Sequence, residues 1–513
     1  MRTLIATLLI TVGSVASAGV EPDWITPYQS PGSFTFYEIV ADRAGNTFTV
    51  ATLDDDLSVT KVSPQGVVLW QTVYAGPIGQ DIGAGISMSA DESAAYALGR
   101  SSVPGFGNSD FNILKVDAES GEIVWQRFYD GGNLGIDSPH DIVGTPDGGV
   151  AACGGIGTSD EQRDYGTVKL DADGEVVWES RFSGVGAFLF ENDDARFLAV
   201  TPDGDIVVTG TGMGGATRAD CITLKYDGTT GAEIWRSGYA TPADDSVRDL
   251  KIASDGDVLL FGSDPAGADR RWFLARYDGA TGTEQWATLV DPGLDEGPAA
   301  ITIAPDGTIF AAGTTDPDGD DSNRNENVIT IAYDGETGSV LWLNEFGDEG
   351  VGDFDVGRRV HTDGAGKVYV FGYTESASLV VDPFESDALV LTIDAETGAQ
   401  IGVSAIDMTE PGGPAASETI FDTAVDGRGD VYAYGAFYDG TQDLELFMRF
   451  GIGPAGCGPA DVADPLGTLD LADVQAFIAG FIGMDTVADL DGNGVFDLAD
   501  VQAFIGVFTT GCP

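Results

Sequence analysis

The sequence holds one strong candidate for a metal site, a run of alternating oxygen-bearing side chains near the C-terminus. From position 489 it reads DLDGNGVFDLAD. Loop positions 1, 3, 5, 9 and 12 carry carboxylate or amide side chains, position 6 is glycine and position 7 offers a backbone carbonyl, a pattern that binds Ca²⁺. Position 12 is Asp instead of the longer Glu, so the loop must tighten around the ion. The predicted ligands are Asp489, Asp491, Asn493, Val495, Asp497 and Asp500.

A degenerate copy of this loop precedes it in the chain. The copy keeps the acidic residues Asp461, Asp464, Asp470 and Asp473. Leu466 replaces the ligand that corresponds to Asn493, and Pro465 replaces Gly492. The first loop therefore either binds Ca²⁺ weakly with fewer ligands, or is held in place by packing without a metal.

Both loops lead into the same eight residues, LADVQAFI, at 471–478 and 498–505. Their apolar spacing predicts a short amphipathic helix after each loop. The paired loop–helix units resemble a dockerin module, and the tripeptides around Cys457 and Cys512 resemble the GC-type dockerin-like tail of secreted bacterial proteins. The resemblance implies a small α-helical module over residues 455–513 that takes Ca²⁺ as cofactor and binds a cohesin-like or surface scaffold protein. In an exported chain we expect Cys457 and Cys512 to form an intramolecular disulfide that closes this module.

Four cationic residues recur at one point of an internal repeat. When the repeat units are aligned on their Asp-Gly turns, the start of the innermost strand carries His140, Arg196, Arg248 and Arg358. Because the whole chain has only 24 Lys and Arg residues, this clustering at one mouth of a central channel favours an anionic ligand such as an acidic sugar. The alternative is that these cations pair with the nearby acids Asp141, Asp249 or Glu38.

The elements that would position these residues come from a repeat of about fifty residues. Several units combine an Asp-Gly turn between two apolar runs, which favours a hairpin, with an Asp-x-x-Thr-Gly turn just before a tryptophan. Four short antiparallel strands per unit predict the blade of a β-propeller. We count eight blades, with seven as the alternative if the irregular second or seventh unit is not a true blade. The tryptophans that recur with the repeat are Trp24, Trp70, Trp125, Trp178, Trp235, Trp286 and Trp342.

The two ends of the repeat region complement each other. The eighth unit has three strands and then leads into Gly451, whereas an additional strand around Trp24 precedes the first unit. Pairing these strands closes the ring without a free edge. The fold prediction is therefore an all-β, eight-bladed propeller over residues 19–452, closed by the N-terminal strand. The Asp-x-x-Thr-Gly-x-x-x-Trp pattern resembles the tryptophan-docking repeat of quinoprotein-like (PQQ-repeat) propellers, which implies that the tryptophans lock neighbouring blades together.

Charge and the N-terminal sequence limit the function and the location of the protein. The 83 acidic residues against 24 Lys and Arg give a net charge of −59, which argues against nucleic acid or an anionic membrane as a partner. Residues 1–18 combine an early arginine, a short apolar run and Ala-Ser-Ala, which predicts a secretory signal peptide and an extracellular or cell-surface location. No later apolar run is long enough for a membrane span. Cys153 and Cys221 stand at non-equivalent repeat positions, so we expect buried free thiols.

These observations favour a secreted binding protein without catalytic activity, tethered to a scaffold by its tail. The sequence contains no Cys-x-x-Cys-His, His-Glu-x-x-His or Gly-x-Ser-x-Gly motif. The first alternative is a polysaccharide-active enzyme, a glycoside hydrolase or lyase, delivered by the same tail. The second is a quinoprotein-like dehydrogenase, against which the lack of a vicinal cysteine pair counts.

Overall fold

A computed structural model describes most of the repeat region and a few positions near the C-terminus. The described residues are 19–28, 34–76, 78–103, 108–132, 135–157, 163–184, 193–213, 219–241, 243–266, 269–292, 294–316, 326–347, 354–375, 386–408, 417–438, 443–452, 474–475, 477–478, 481, 501–502 and 504–505.

Within these ranges the chain forms β-strands that group into eight separate four-stranded antiparallel sheets. Blade 1 comprises β2 (Phe34–Ala41), β3 (Thr47–Leu53), β4 (Asp56–Val62) and β5 (Val68–Tyr74), and blade 2 comprises β6 (Asp81–Met88), β7 (Ala94–Ser102), β8 (Ser109–Asp117) and β9 (Ile123–Tyr129). Blade 3 comprises β10 (Ser138–Gly144), β11 (Val150–Gly157), β12 (Arg163–Leu170) and β13 (Val176–Phe182), and blade 4 comprises β14 (Asp194–Val200), β15 (Ile206–Met213), β16 (Ala219–Tyr226) and β17 (Glu233–Tyr239). Blade 5 comprises β18 (Ser246–Ile252), β19 (Val258–Ala266), β20 (Asp269–Tyr277) and β21 (Glu284–Val290), and blade 6 comprises β22 (Leu294–Ile303), β23 (Ile309–Asp316), β24 (Asn327–Tyr333) and β25 (Val340–Phe346). Blade 7 comprises β26 (Asp355–Thr362), β27 (Lys367–Thr374), β28 (Asp387–Asp394) and β29 (Gln400–Ile406), and blade 8 comprises β30 (Ser417–Val425), β31 (Val431–Tyr438), β32 (Asp443–Phe450) and β1 (Trp24–Tyr28).

The first strand of each blade lies next to the first strands of both neighbouring blades, and β30 of blade 8 contacts β2 of blade 1. The sheets therefore form a closed ring around a central channel, and the eight-bladed prediction is confirmed. The alternative of seven blades is wrong, because both irregular units, the second and the seventh, form complete four-stranded sheets. In both units turns still separate four short strands, although the repeat motif is altered.

The N-terminal strand closes the ring, as the sequence predicted. β1 pairs with β32 in antiparallel register, with Trp24 opposite Arg449 and Tyr28 opposite Glu445. Arg449 also forms ion pairs with Asp23 (2.6 Å) and with Asp430 (2.5 Å). The fourth strand of blade 8 thus comes from the opposite end of the chain to its first three strands.

Strand direction divides the propeller into two faces. First and third strands begin on one face, which we call the top face, and second and fourth strands begin on the bottom face. The short Asp-Gly and Asp-x-x-Thr-Gly turns lie on the bottom face. In those turns, glycines such as Gly148 and Gly204 adopt φ values of +81° and +87°, which other residues adopt only with strain.

Each tryptophan of a fourth strand docks on a bottom-face turn of the next blade. The Nε1–H of Trp178 donates to the carbonyl of Gly228 (3.1 Å), and its ring lies against Gly231. Gly231 has φ of +70°, and a Cβ there would lie 2.6 Å from the ring. The predicted locking of neighbouring blades is thereby confirmed. The other glycines that cover an indole in this way are Gly66, Gly121, Gly174, Gly282, Gly338 and Gly398.

A basic residue of the third strand strengthens five of these seams. The Nζ of Lys169 donates to the same Gly228 carbonyl at 2.7 Å and pairs with Asp147 of its own blade at 2.6 Å. Sequence reasoning missed these residues, although most stand two positions before the aspartate that begins the turn. In four seams a lysine Nζ donates to the carbonyl that also accepts the Nε1–H of the tryptophan, and in the fifth an arginine donates to a turn carbonyl. These residues are Lys61, Lys115, Lys169, Lys225 and Arg276.

The seam between blades 7 and 8 lacks a tryptophan for a structural reason. Blade 8 has no turn between its third and fourth strands, so a tryptophan of blade 7 would have nothing to dock on. Gly402 occupies the equivalent position, opposite Thr392. The leading residues of the chain cover this place instead: a Cβ on Gly19 would lie 2.3 Å from Ser404 Oγ, and Val20 packs against the core between blades 7 and 8.

Beyond Ile452 the described residues have helical backbone, and all of them except Phe481 belong to the two copies of LADVQAFI. Phe477 and Phe504 occupy the same place in the two copies of LADVQAFI. Both are buried, and their rings stack with centroids 4.2 Å apart and planes 15° apart. In the part of the chain that the structure describes, no helix has the length and hydropathy of a membrane span.

Candidate functional site

The mouth of the central channel on the top face is built from β-bulges. In every blade the register between the first and second strands shifts by one residue near the start of the first strand. A bulge leaves its extra residue unpaired and re-aims its side chain. From blade 1 to blade 8 the bulge residues are Tyr37, Ala84, His140, Arg196, Arg248, Ala299, Arg358 and Phe421.

The four cationic residues singled out in the sequence all occupy this bulge position. His140, Arg196 and Arg248 belong to the consecutive blades 3, 4 and 5, and Arg358 belongs to blade 7, opposite blade 3. The alignment on the Asp-Gly turns works because strand length fixes the distance from turn to bulge. The structure therefore brings these residues to one mouth of the channel.

Their partners differ from those considered in the sequence analysis. His140 Nε2 lies 3.0 Å from Asp194 Oδ1, and Arg196 Nη2 lies 3.0 Å from Asp194 Oδ2. Asp194 begins the first strand of blade 4, so it joins the cations of two neighbouring blades. The Arg196 side chain remains 49% exposed. A single buried carboxylate thus contacts both the His140 imidazole and the Arg196 guanidinium at the mouth.

Arg358 has an aromatic environment. Its guanidinium lies 5.4 Å from the ring centroids of both Tyr373 and Phe421. Two rings at this distance favour a planar cation and restrict its movement. Arg248 is exposed to solvent. The four residues therefore comprise a carboxylate-bridged pair, an exposed arginine and an arginine held by two aromatic rings.

The acids that directly follow the bulges connect neighbouring blades. Asp141 Oδ2 accepts the Leu198 N–H (2.8 Å), and Asp249 Oδ2 accepts the Ile301 N–H (2.9 Å). Glu38 receives the N–H of the next blade in the same way. Burial raises the pKa of Glu38 well above its ordinary value, and the neighbouring Asp141 raises it further. These acids are bound to backbone N–H groups, so the suggestion that they serve as the main partners of the bulge cations is wrong for His140 and Arg196, which Asp194 holds.

Further buried acids mark the seams between blades on the top face. At five described seams a carboxylate accepts the backbone N–H two residues beyond the preceding fourth strand. The sequence analysis missed these capping acids because no short motif surrounds them. Their donor–acceptor pairs are Gly76–Asp81, Gly131–Asp137, Gly184–Asp193, Thr241–Asp245 and Met408–Glu418. Part of the large negative charge is therefore structural.

Two of these seams hold three carboxylates close enough to bind a metal ion. Asp110, Asp130 and Asp137 each have a ligand atom within 4.8 Å of the others. Asp387, Asp407 and Glu418 form a second triad at the equivalent positions of blades 7 and 8. Burial, together with Asp130 and Asp137, raises the pKa of Asp110 to about 6. Acidic groups of the propeller could thus hold a metal ion.

The predicted sites of the C-terminal segment lie outside the described residues. This applies to the second-loop ligands, to the first-loop residues, to Cys457 and Cys512, and to the signal peptide at 1–18. Cys153 and Cys221 are described, and both are buried and free. Burial raises the pKa of both thiols well above the ordinary value, so they remain protonated and unreactive.

Comparisons with known proteins agree with the fold. Residues 109–272 match the PQQ-repeat family model described as outer membrane protein assembly factor BamB. No curated protein sequence matches the chain. Among solved structures, the quinohemoprotein alcohol dehydrogenase from Comamonas testosteroni superposes with a TM-score of 0.52 at 12% identity, over 84% of this chain and 76% of that one. A europium-containing methanol dehydrogenase gives 0.52 at 12% identity, over 81% and 84%. The chain is therefore a β-propeller, and its residues 109–272 are similar to PQQ-type repeats.

Proposed function

We propose that this chain is a secreted binding protein whose propeller takes an anionic ligand at the top-face mouth and whose C-terminal segment tethers it to a partner. The observation that carries the first part is the placement of His140, Arg196, Arg248 and Arg358 on equivalent bulges around one mouth. The ligand class that fits best is an acidic polysaccharide, because its carboxylates match guanidinium groups and its sugar rings can stack on aromatic side chains.

The charge distribution supports an anionic ligand. The chain carries −59 overall, so a cationic mouth attracts an anion only at that place, and the surrounding acids repel it elsewhere. Five of the 24 basic residues are engaged in the bottom-face seams. Three of the remaining 19 Lys and Arg residues, Arg196, Arg248 and Arg358, therefore stand around one mouth on the opposite face, together with His140.

The proposal is tested by removing two of the cations. Polygalacturonate binding is measured by calorimetry for the wild type, for the Arg196→Gln/Arg248→Gln variant, and for Arg236→Gln. Arg236 is a matched control, because it belongs to the same blade as Arg196, its side chain is 45% exposed, and it lies on the outermost strand. We expect the double variant to bind at least about tenfold more weakly for each arginine removed.

The control should bind polygalacturonate as the wild type does, and a neutral polysaccharide should bind to none of the three proteins. Equal affinity of the wild type and the double variant, or no binding by the wild type, would contradict the proposed site. The same samples separate the alternatives. New reducing ends or unsaturated products would identify a polysaccharide-active enzyme instead.

A second candidate function is a quinone-dependent dehydrogenase. It is favoured by the PQQ-type repeats and by the two similar structures, which are an alcohol and a methanol dehydrogenase. The sequence lacks adjacent cysteines, since its four cysteines stand far apart. Reduction of a dye by the full chain with added pyrroloquinoline quinone, Ca²⁺ and an alcohol would favour this candidate over the binding protein.

The tethering part of the proposal rests on the duplicated segment. The two copies of LADVQAFI pack their phenylalanines against each other, and the loop before the second copy carries the oxygen ligands of a calcium site. We propose that this segment is a dockerin-like module that binds Ca²⁺ and a cohesin-like scaffold protein, after export and cleavage behind Ala18.

Calcium titration of the full chain tests this part. Asp491→Asn removes a charged ligand from the second loop, and Asp464→Asn makes the same change in the degenerate first loop. Because calcium affinity depends on the number of charged ligands, we expect Asp491→Asn to lose one tightly bound Ca²⁺. The Asp464→Asn variant should retain that ion. An identical calcium stoichiometry and affinity for the wild type and Asp491→Asn would exclude the predicted site.

A further inference from the structure

The seam between blades 1 and 2 on the top face contains an unusual group of acids. The turn between β3 and β4 is formed by Asp54 and Asp55, and a third aspartate, Asp56, follows as the first residue of β4. Asp81, the first residue of β6, donates its N–H to the Asp55 carbonyl (2.6 Å). Gln80 Nε2 donates to Asp55 Oδ1 (2.8 Å). These contacts fix the acidic turn of blade 1 against the first strand of blade 2.

One oxygen of this group is buried without a partner. The Asp81 side chain belongs to a residue that is only 1% exposed, and its Oδ2 accepts the N–H of Gly76. Its Oδ1 makes no hydrogen bond with any residue for which the structure gives a position. Pro77, in the segment 75–80 that connects β5 to β6, has no N–H to donate. A buried carboxylate oxygen in this state costs free energy unless something else satisfies it.

The equivalent acid in the next seam shows what is missing. Asp137 occupies the same position of blade 3 and accepts two N–H groups, from Gly131 (3.0 Å) and Gly157 (2.7 Å). In blade 2 the residue that corresponds to Gly157 is Ser102, and its N–H donates to the Gln80 carbonyl instead (2.9 Å). The second oxygen of Asp81 is therefore left for a ligand.

The charges around this oxygen select the class of ligand. Asp56 is the first residue of β4. Burial raises the pKa of its carboxyl, and the charges of Asp81, Asp55 and Asp54 raise it further. Every charge that acts on the Asp56 carboxyl is thus negative, which favours a cation. Carboxylate oxygens without nitrogen or sulfur ligands suit Ca²⁺.

We propose that the seam between blades 1 and 2 binds a calcium ion, with Asp81 Oδ1 and the Asp56 carboxylate as ligands and the adjacent Asp54 and Asp55 adding negative charge. The ion would join the first two blades on the top face. This site is separate from the predicted calcium loop of the C-terminal segment, and it does not depend on the anion site at the mouth.

Terbium, a luminescent substitute for Ca²⁺, tests this site in the full chain. Terbium luminescence requires a nearby aromatic donor. Tyr74 lies close enough to Asp81 for that carboxylate to raise its pKa together with burial. Residues 453–513 contain neither tyrosine nor tryptophan, so an ion in the C-terminal loop has no donor within its own segment. We expect tyrosine-sensitised emission that Ca²⁺ competes away.

Three variants decide the outcome. Asp81→Asn should weaken terbium binding at the sensitised site by about 10–100-fold or more. Tyr74→Phe should lower the emission and leave the calcium-induced rise in melting temperature unchanged. Asp203→Asn, a change in an exposed bottom-face turn, is the control and should behave as the wild type. If Asp81→Asn fails to fold, Asp56→Asn replaces it, because Asp56 is more exposed.

Two results would overturn the proposal. One is sensitised emission that is unchanged in both acid variants. The other is a melting temperature of the wild type that does not respond to Ca²⁺. Loss of binding in Asp491→Asn alone would leave the sensitised emission intact, so the C-terminal site and the seam site are distinguishable.

Discussion

A chain that lacks residues 19–28 is expected to lose the cooperative unfolding of the propeller. These residues supply β1, the fourth strand of blade 8, and their removal leaves the backbone of β32 unpaired along its outer edge. Trp24 is lost with them, and with it the hydrogen bond from its Nε1 to the Pro64 carbonyl (2.8 Å) that joins blade 8 to blade 1. An open ring with an exposed strand edge is prone to association.

Thermal unfolding and size-exclusion chromatography measure this effect. The truncated chain should unfold over a broad range at a lower temperature and should elute partly as aggregates. A synthetic peptide of residues 19–28 should restore the sharp transition, whereas a peptide of the same composition in scrambled order should not. An unchanged transition in the truncated chain would mean that seven complete blades and three strands are sufficient.

The architecture was predictable because the turns fix it locally. Asp-Gly turns require glycine at positive φ, and Gly148 and Gly204 adopt that conformation. Alternating apolar residues between such turns leave few options other than short antiparallel strands. The unmatched strands at the two ends predicted the closure. The missing tryptophan at Gly402 looked irregular in the sequence, and the closure explains it, because blade 8 has no turn for a tryptophan to dock on.

The candidate site was predictable in position but not in its contacts. The bulges fall at a constant distance from the Asp-Gly turns, so His140 and Arg196 could be aligned from the sequence. Their common partner Asp194 could not be identified, because the side chain that meets His140 depends on how two neighbouring first strands are staggered. The capping acids were missed for a related reason: Asp81 and Asp137 each accept an N–H that follows the fourth strand of the preceding blade, and no local pattern records that contact.

Replacing Gly231 by alanine is expected to separate the two blades that Trp178 holds together. The new Cβ would lie 2.6 Å from the indole ring, and alanine would have to adopt φ of +70°. Gly204→Ala is a matched control, because Gly204 has φ of +87° and nothing within 4 Å of the added Cβ. We expect Gly204→Ala to cost about 1–2 kcal/mol through backbone strain alone. Gly231→Ala should cost more, by the amount of the clash.

The double-mutant cycle with Trp178→Ala completes the argument. Trp178 is 7% exposed, so its removal should lower the free energy of unfolding by about 3–5 kcal/mol. Once the ring is gone the alanine methyl has room, so Gly231→Ala should then cost no more than Gly204→Ala does. The two changes should therefore be less than additive in chemical denaturation, as expected for residues in contact. Strict additivity would mean that the indole does not rest on the turn glycine, and the locking of blades would need another cause, such as the Lys169 contact with the Gly228 carbonyl.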